Sequence, residues 1–128
     1  MAEINTDRYI VSARPTGDIA YHGEEGSEKR FWFLSSELIP EANIYIGAVT
    51  IDARPEEAEE TTVESHTHDA NEIYCVIGDV TTEVILEDNL HIVKAPATIF
   101  VPAGISHRVV KNYGKGHLVI VLQSSEYH

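Results

Sequence analysis

Apolar and β-branched residues in this chain come in short runs, alternate with polar positions, and are cut by turn residues before any helical period builds up. The pattern predicts strands at Tyr9–Ala13, Arg30–Leu38, Ile44–Asp52, Val63–His68, Glu72–Ile77, Thr81–Glu87, His91–Lys94, Thr98–Val101, Ser106–Lys111 and Leu118–Gln123. Breaks are expected at Pro15-Thr16-Gly17, Gly23, Pro40, Pro55, Gly78-Asp79, Asp88-Asn89, Pro96, Pro102-Ala103-Gly104 and Tyr113-Gly114-Lys115-Gly116. About ten short strands at this spacing favour an all-β sandwich or barrel over a parallel sheet. No repeat or shift of composition divides the chain, so residues 1–128 are expected to form a single domain. The least regular stretch, 1–26, is expected as an N-terminal arm that covers the barrel or pairs with a second subunit.

Composition narrows the class. With 128 residues and 43% hydrophobic content, the chain can bury one core without disulfides. The single cysteine, Cys75, lies in the apolar run Ile73-Tyr74-Cys75-Val76-Ile77, where a thiol usually serves as a small core residue. Twenty-one acidic residues against nine basic ones give a formal charge of −12, which repels phosphate backbones and anionic membranes. Nucleic acid and membrane surfaces are therefore not expected as partners. Much of the acid sits in Pro55-Glu56-Glu57-Ala58-Glu59-Glu60, which reads as a solvated loop between strands. The first thirty residues show no basic stretch leading into an apolar one, and no run is long enough to span a bilayer, so a cytoplasmic protein is expected.

Candidate chemistry is concentrated in two places. The segment His66-Thr67-His68-Asp69-Ala70-Asn71-Glu72 is followed, about forty residues on, by Pro102-Ala103-Gly104-Ile105-Ser106-His107. On a strand, residues two apart share a face and lie about 6.5 Å apart, so His66 and His68 can converge on one divalent ion. Glu72 has the same parity but would lie roughly 20 Å beyond His66 on a straight strand. The chain must therefore turn between them, and Asp69-Ala70-Asn71 supplies turn-favouring residues. His107 would arrive from a separate strand.

The spacing His-x-His-x-x-x-Glu, followed by Pro-x-Gly-x-x-His, resembles the two motifs of the cupin superfamily. The resemblance covers about Val63 to Asn112 and implies a double-stranded β-helix, or jelly-roll barrel, of the small single-domain RmlC-like type. It also implies His66, His68, Glu72 and His107 as metal ligands. This sequence departs from the family pattern at turn positions: Glu60 and Pro96 stand where glycines usually open the motifs. Gly78 falls one residue before, and Asn112 one residue after, the family's closing positions.

Four such donors suit one divalent ion per chain, with iron, zinc, manganese, nickel and cobalt all compatible, and they leave a coordination position for substrate. The expected function is a metal-dependent enzyme acting on a small oxygen-bearing molecule. It would be a dioxygenase if the ion is iron, or a redox-free lyase, isomerase or cyclase otherwise. A non-catalytic small-molecule-binding cupin is the alternative. The resemblance further implies a homodimer.

Around the ligands, Glu64 shares the parity of His66 and is a candidate to orient a ligating imidazole, although a surface glutamate is the simpler assignment. Tyr74 and Val76 follow Glu72 inward, while Ile73, Cys75 and Ile77 face the other way. Tyr74 is therefore a candidate proton or hydrogen-bond donor beside the ion, against the plainer role of core packing. Val109, with Phe100 or Ile99, is expected to line the cavity. Phe31 and Phe33 should face away from Trp32, and His91 and His117 are assigned structural roles. His22 and His128 carry no usable signal.

Overall fold

A computed structural model describes residues 6–15, 29–61 and 64–124. Seven strands fill most of them: β1 (Arg14–Pro15), β2 (Lys29–Leu34), β3 (Tyr45–Ala53), β4 (Glu72–Leu86), β5 (Asn89–Lys94), β6 (Ala97–Val101) and β7 (His107–Leu122). All pairings are antiparallel and run in the order β1-β2-β3-β7-β4-β5, with β6 also on β4. The fold is the all-β jelly roll, and among the described residues its hydrogen-bonded path stays open at β1 and β5.

The β4–β7 ribbon sets the architecture. Its register runs from Glu72↔Leu122 to Leu86↔His107, with one bulge on β7 where the pairing steps from Glu83↔Lys111 to Val84↔Val109. Fully extended, those fifteen pairs would cover about 48 Å at ~3.4 Å per residue. Yet Glu72 and His107, which mark opposite ends of the ribbon, approach within 2.8 Å. The ribbon has to roll up for this to happen.

Three glycines make the corner. Gly78, Gly114 and Gly116 all have positive φ, and Gly78 pairs with Gly116 while Gly114 pairs with Val80. A Cβ at Gly114 would lie 2.0 Å from the Asp79 carbonyl oxygen, and one at Gly116 would lie 2.1 Å from that of Ile77. Only glycine permits such close backbone approach with those dihedrals. The sequence pattern read Gly78-Asp79 and Tyr113–Gly116 as breaks between separate strands. They are bends inside continuous ones, because the backbone hydrogen bonds carry on across them.

Other boundaries also differ from expectation. Residues 6–9 form a 3-10 turn instead of beginning a strand; Tyr9 and Ile10 are exposed, and the first strand is only Arg14–Pro15. The expected strand Arg30–Leu38 stops at Leu34, where Ser35 is buried and its carbonyl accepts from the amides of Leu38 and Ile39 in a turn. Of the expected strand Val63–His68, Val63 lies outside the described residues, and the remainder makes one isolated bridge, His66↔His107. Most of the proposed N-terminal arm likewise lies outside the described residues, as do His22 and His128. The acidic loop is an exposed 3-10 turn at Pro55–Glu57, with the Arg54 guanidinium 2.8 Å from Glu57.

Alternation places the core. Along β4, Glu72, Tyr74, Val76, Val80, Thr82 and Val84 are buried. They meet Tyr45, Val49 and Ile51 of β3, Ile99 and Val101 of β6, and Val109, Leu118, Ile120 and Leu122 of β7. Trp32 packs its edge on the Tyr45 ring with centroids 4.6 Å apart, so β2 turns Trp32 inward and leaves Phe33 exposed. Of the expected cavity-lining pair, Ile99 is buried and Phe100 points outward. Cys75 is not a core residue: it occupies the outward parity of β4 and is only partly buried. At the far end of the interior, the Thr82 hydroxyl donates to Asn112 at 2.7 Å, which satisfies both buried side chains there.

Candidate metal centre

The four motif residues come together where the two ends of the rolled ribbon meet. His66, His68, Glu72 and His107 are all buried, and one donor atom from each lies within 4.8 Å of the others. The imidazole centroids stand 4.4 to 5.1 Å apart.

Local structure explains how each side chain arrives. The bridge between His66 and His107 is closed by both main-chain hydrogen bonds, 3.0 and 3.1 Å, which bind the loop before the first motif to the start of β7. His66 and His68 are buried while Thr67 between them is exposed, as extended alternation requires. The chain then bends at Asp69 and Ala70, and Asn71 pins the bend. The Asn71 side chain accepts from the Ala103 amide and donates to Gln123, both at 3.0 Å, and its carbonyl accepts from the Gln123 amide at 3.0 Å. One asparagine thereby joins the first-motif turn, the Pro102-Ala103-Gly104 turn and the end of β7. The amide of Gly104 also donates to the His68 carbonyl at 3.0 Å.

Two of the imidazoles are oriented by main-chain carbonyls. The Nδ1 of His66 lies 2.6 Å from the Glu64 carbonyl oxygen, and the Nδ1 of His107 lies 3.0 Å from that of Ile105. With the proton on Nδ1, each ring turns its Nε2 lone pair toward the cluster, the tautomer a metal ligand needs. Glu64 thus meets the ring through its backbone, while its side chain is exposed.

Glu72 is fully buried and its two oxygens face different neighbours. Oε1 accepts a short hydrogen bond from the Tyr74 hydroxyl and lies 2.8 Å from His107 Nε2. Oε2 lies 3.6 Å from His68 Nε2. The approach of His107 is an electrostatic contact without hydrogen-bond alignment, and both His107 Nε2 and Glu72 Oε2 remain buried polar atoms without an aligned hydrogen bond. Donors about 2.1 Å from a common ion stand about 3 to 4.2 Å apart, so the observed cluster is slightly wider than a loaded site and needs only small side-chain movements to close. The donor set fits a divalent ion.

The charges agree with this arrangement. Burial alone would raise the Glu72 carboxyl, but the contacts with His107 and Tyr74, together with the charge of His68, outweigh it and hold the group below the ordinary carboxylate range. Burial likewise opposes protonation of His107, yet the neighbouring carboxylate and the Ile105 carbonyl raise its pKa overall. His66 goes the other way. Burial lowers it, and repulsion from His107 and His68 adds to that against the opposing pull of the Glu64 carbonyl. A carboxylate that stays ionised and an imidazole that stays neutral are both ready to ligate.

Tyr45 is a neighbour that sequence reasoning did not single out. It is buried, and its hydroxyl pKa is raised, first by burial and then by the Glu72 charge, against a smaller opposing effect of Arg30. Its place at the start of β3 gave no motif, and only the pairing of β3 beside β7 brings it near Glu72. His91 is exposed, and His117 lies on the outer sheet surface; neither belongs to the cluster.

No family model matches the chain, and no curated protein matches it by sequence. Solved structures do match in fold. KdgF from a Halomonas species superposes with a TM-score of 0.59 over 96% of this chain and 93% of its own, at 15% identity. An RmlC-like cupin from Shewanella frigidimarina gives 0.55 over 82% of each chain at 17% identity. Oxalate decarboxylase from Bacillus subtilis, whose structural study concerns its Mn(II) centres, gives 0.65 over 91% of this chain but only 28% of its own, at 13% identity. The protein has the cupin jelly-roll fold, with a buried three-histidine, one-glutamate cluster.

Proposed function

We propose that this protein is a metal-dependent enzyme that acts on a small, oxygen-bearing molecule, with His66, His68, Glu72 and His107 holding one divalent ion. The observation that carries the reading is the burial of three imidazoles and a carboxylate with their donor atoms within 4.8 Å. Burying such groups costs several kcal/mol unless they are paired or bound to a cation. A structural role for the cluster would be filled better by apolar side chains of the same volume.

When bound, the ion supplies Lewis-acid stabilisation of negative charge developing on a substrate oxygen. The protein's own groups do the rest. The Glu64 and Ile105 carbonyls fix two imidazoles, and Asn71 holds together the turns that present them. Tyr74, through its hydrogen bond to Glu72 Oε1, holds the carboxylate in one orientation and places a hydroxyl proton beside the reacting region. Oxalate decarboxylase from Bacillus subtilis, an enzyme that shares this fold, supports a catalytic use of it.

The test is metal analysis of protein purified without chelators or nickel resin, alongside His66→Ala and His107→Ala. One equivalent of metal in the wild type, lost in both variants with the fold retained, is the expected result. Water-proton relaxation of the Mn(II)-loaded protein then separates an open site from a closed one. A loaded protein that exchanges no water and takes up no added oxygen ligand would be a structural metal protein, and the enzymatic reading would fail.

A further inference from the structure

The inner side of the sheet holds one positive side chain that the metal centre does not account for. On β2, Phe31 and Phe33 share the outer face, with ring centroids 6.4 Å apart, so Arg30 and Trp32 take the inner one. Trp32 packs on Tyr45, and the Nε of Arg30 is closed off from solvent. Among the described residues, Arg30 is the only Arg or Lys at an inward position of β2, β3, β4 and β7. It is not one of the groups that hold Glu72 ionised. Its charge acts instead on the Tyr45 hydroxyl, which also feels Glu72.

Gly47 makes room for that hydroxyl. The register sets Trp32 beside Gly47 and Arg30 beside Val49, so the inward positions Tyr45, Gly47 and Val49 lead along β3 toward Arg30. A Cβ at Gly47 would lie 2.5 Å from the Tyr45 hydroxyl oxygen and 3.1 Å from the ring carbon that bears it. The backbone of Gly47 is not left-handed, so what glycine supplies there is space. The Tyr45 ring therefore lies along its own strand, directed from the cross-strand row of Glu72 toward that of Arg30.

We propose that Arg30 and the Tyr45 hydroxyl form a carboxylate-binding subsite beside the metal centre, so that the substrate is a small carboxylic acid anchored there while another of its oxygens is left for the ion. The subsite rests on the metal-dependent reading above and narrows its substrate class. Charge is the first argument. A divalent ion outweighs the one carboxylate among its ligands, and the Arg30 guanidinium adds to the excess in a buried site, so an anion completes the interior. The surface does not supply this selection, since a formal −12 repels anions and is screened beyond about 8 Å at physiological salt. Shape is the second argument. A guanidinium presents a planar fork that pairs both oxygens of a carboxylate, and a phenol adds one more donor. Burial and the Glu72 charge keep that phenol protonated. A phosphate would bring a third oxygen and a second charge, for which the described inward positions hold no further Arg or Lys.

Calorimetry on the Mn(II)-loaded full chain tests this with malonate, succinate and glutarate, each against its monoamide, which keeps the length and one carboxylate but loses the second charge. For the acid whose span fits, wild type should bind the dicarboxylate about 10-fold or more tightly than the monoamide. Arg30→Gln should bring that preference within about 2-fold while Mn(II) uptake stays unchanged. Gly47→Ala keeps both polar groups and crowds only the Tyr45 hydroxyl; it should reduce the preference by about 3-fold or more, and an unchanged preference would remove Tyr45 from the subsite. A wild type that takes up no ion overturns both readings. Full uptake with no preference for any of the dicarboxylates, or a preference that survives in Arg30→Gln, overturns the subsite and leaves the metal centre standing. Should Arg30→Gln not fold, Arg30→Lys keeps the charge and loses the fork. The preference should then fall by about 3-fold or more, and an unchanged one overturns the subsite.

Discussion

The two sides of β4 depart from the usual distribution of residues in opposite senses. Inward, Glu72 and Tyr74 put polar groups where they are at most 2% exposed. Outward, Ile73 and Cys75 are only partly covered and Ile77 is 46% exposed. A strand stabilised only by burying its own apolar side chains would do neither. The inner side is accounted for by the cation we propose there. The comparison teaches that polar groups buried together on the inner side of a sheet indicate something the chain binds, whereas apolar groups on the outer side do not by themselves name an occupant.

The strongest challenge to the inner side is at the corner that brings the ribbon ends together. Gly114→Ala should destabilise the protein by ~3 kcal/mol, since a Cβ there would lie 2.0 Å from the Asp79 carbonyl at a φ of +110°. Thermal unfolding should show a large fall in Tm and metal uptake should drop with it; a variant as stable as wild type would refute the corner. Glu72→Gln comes next. It keeps the shape but removes the charge, and metal affinity by competition with a chelator should fall about 100-fold or more. An affinity within a factor of three of wild type would remove Glu72 from the ligand set.

Tyr74→Phe leaves every ligand in place and removes only the hydroxyl on Glu72 Oε1. Metal affinity should fall about 10-fold, and the electron spin resonance signature of bound Mn(II) should change as the carboxylate reorients. An unchanged spectrum with unchanged affinity would reduce Tyr74 to core packing.

A smaller effect follows from pH in the chelated protein. Glu72 is depressed below its ordinary 4.5, so its stabilisation is present above that value and is lost as pH falls through its lower folded value. His107 is raised above 6.5, so its share is present below that value and is lost as pH rises through its folded value. The stabilising increment of the pair, measured as wild type minus His107→Asn, should therefore be largest between 4.5 and 6.5 and shrink toward pH 8. His66, held toward its neutral form by burial, acts in the opposite sense on acidification and is common to both proteins, so it largely cancels. An increment that grows steadily from pH 6 to 9 would contradict the pairing. The outer side should answer least to a mild change: Cys75→Ser should shift stability by about 0.5 kcal/mol or less and leave metal content unchanged.

Much of this was legible along the chain because strand alternation is local. The inward parity of Glu72, Tyr74 and Val76, the matched burial of His66 and His68, the need for a bend at Asp69–Asn71, and the opposite facing of Trp32 and Phe33 all follow from a period of two, although which of those two faces turns inward does not. The donor types at His66, His68, Glu72 and His107 are fixed by the chain itself. Tertiary structure decided what period alone cannot reach. Whether Gly78, Gly114 and Gly116 end strands or bend them depends on hydrogen bonds made far away in sequence, and those bonds set Glu72 and His107 at opposite ends of one ribbon and then side by side. The orienting groups of His66 and His107 are backbone carbonyls, which every residue carries and no sequence marks. Tyr45 reaches Glu72 only because β3 lies beside β7. Side-chain chemistry is a property of residues one at a time; the distances that make it a site arise from how the whole ribbon curls.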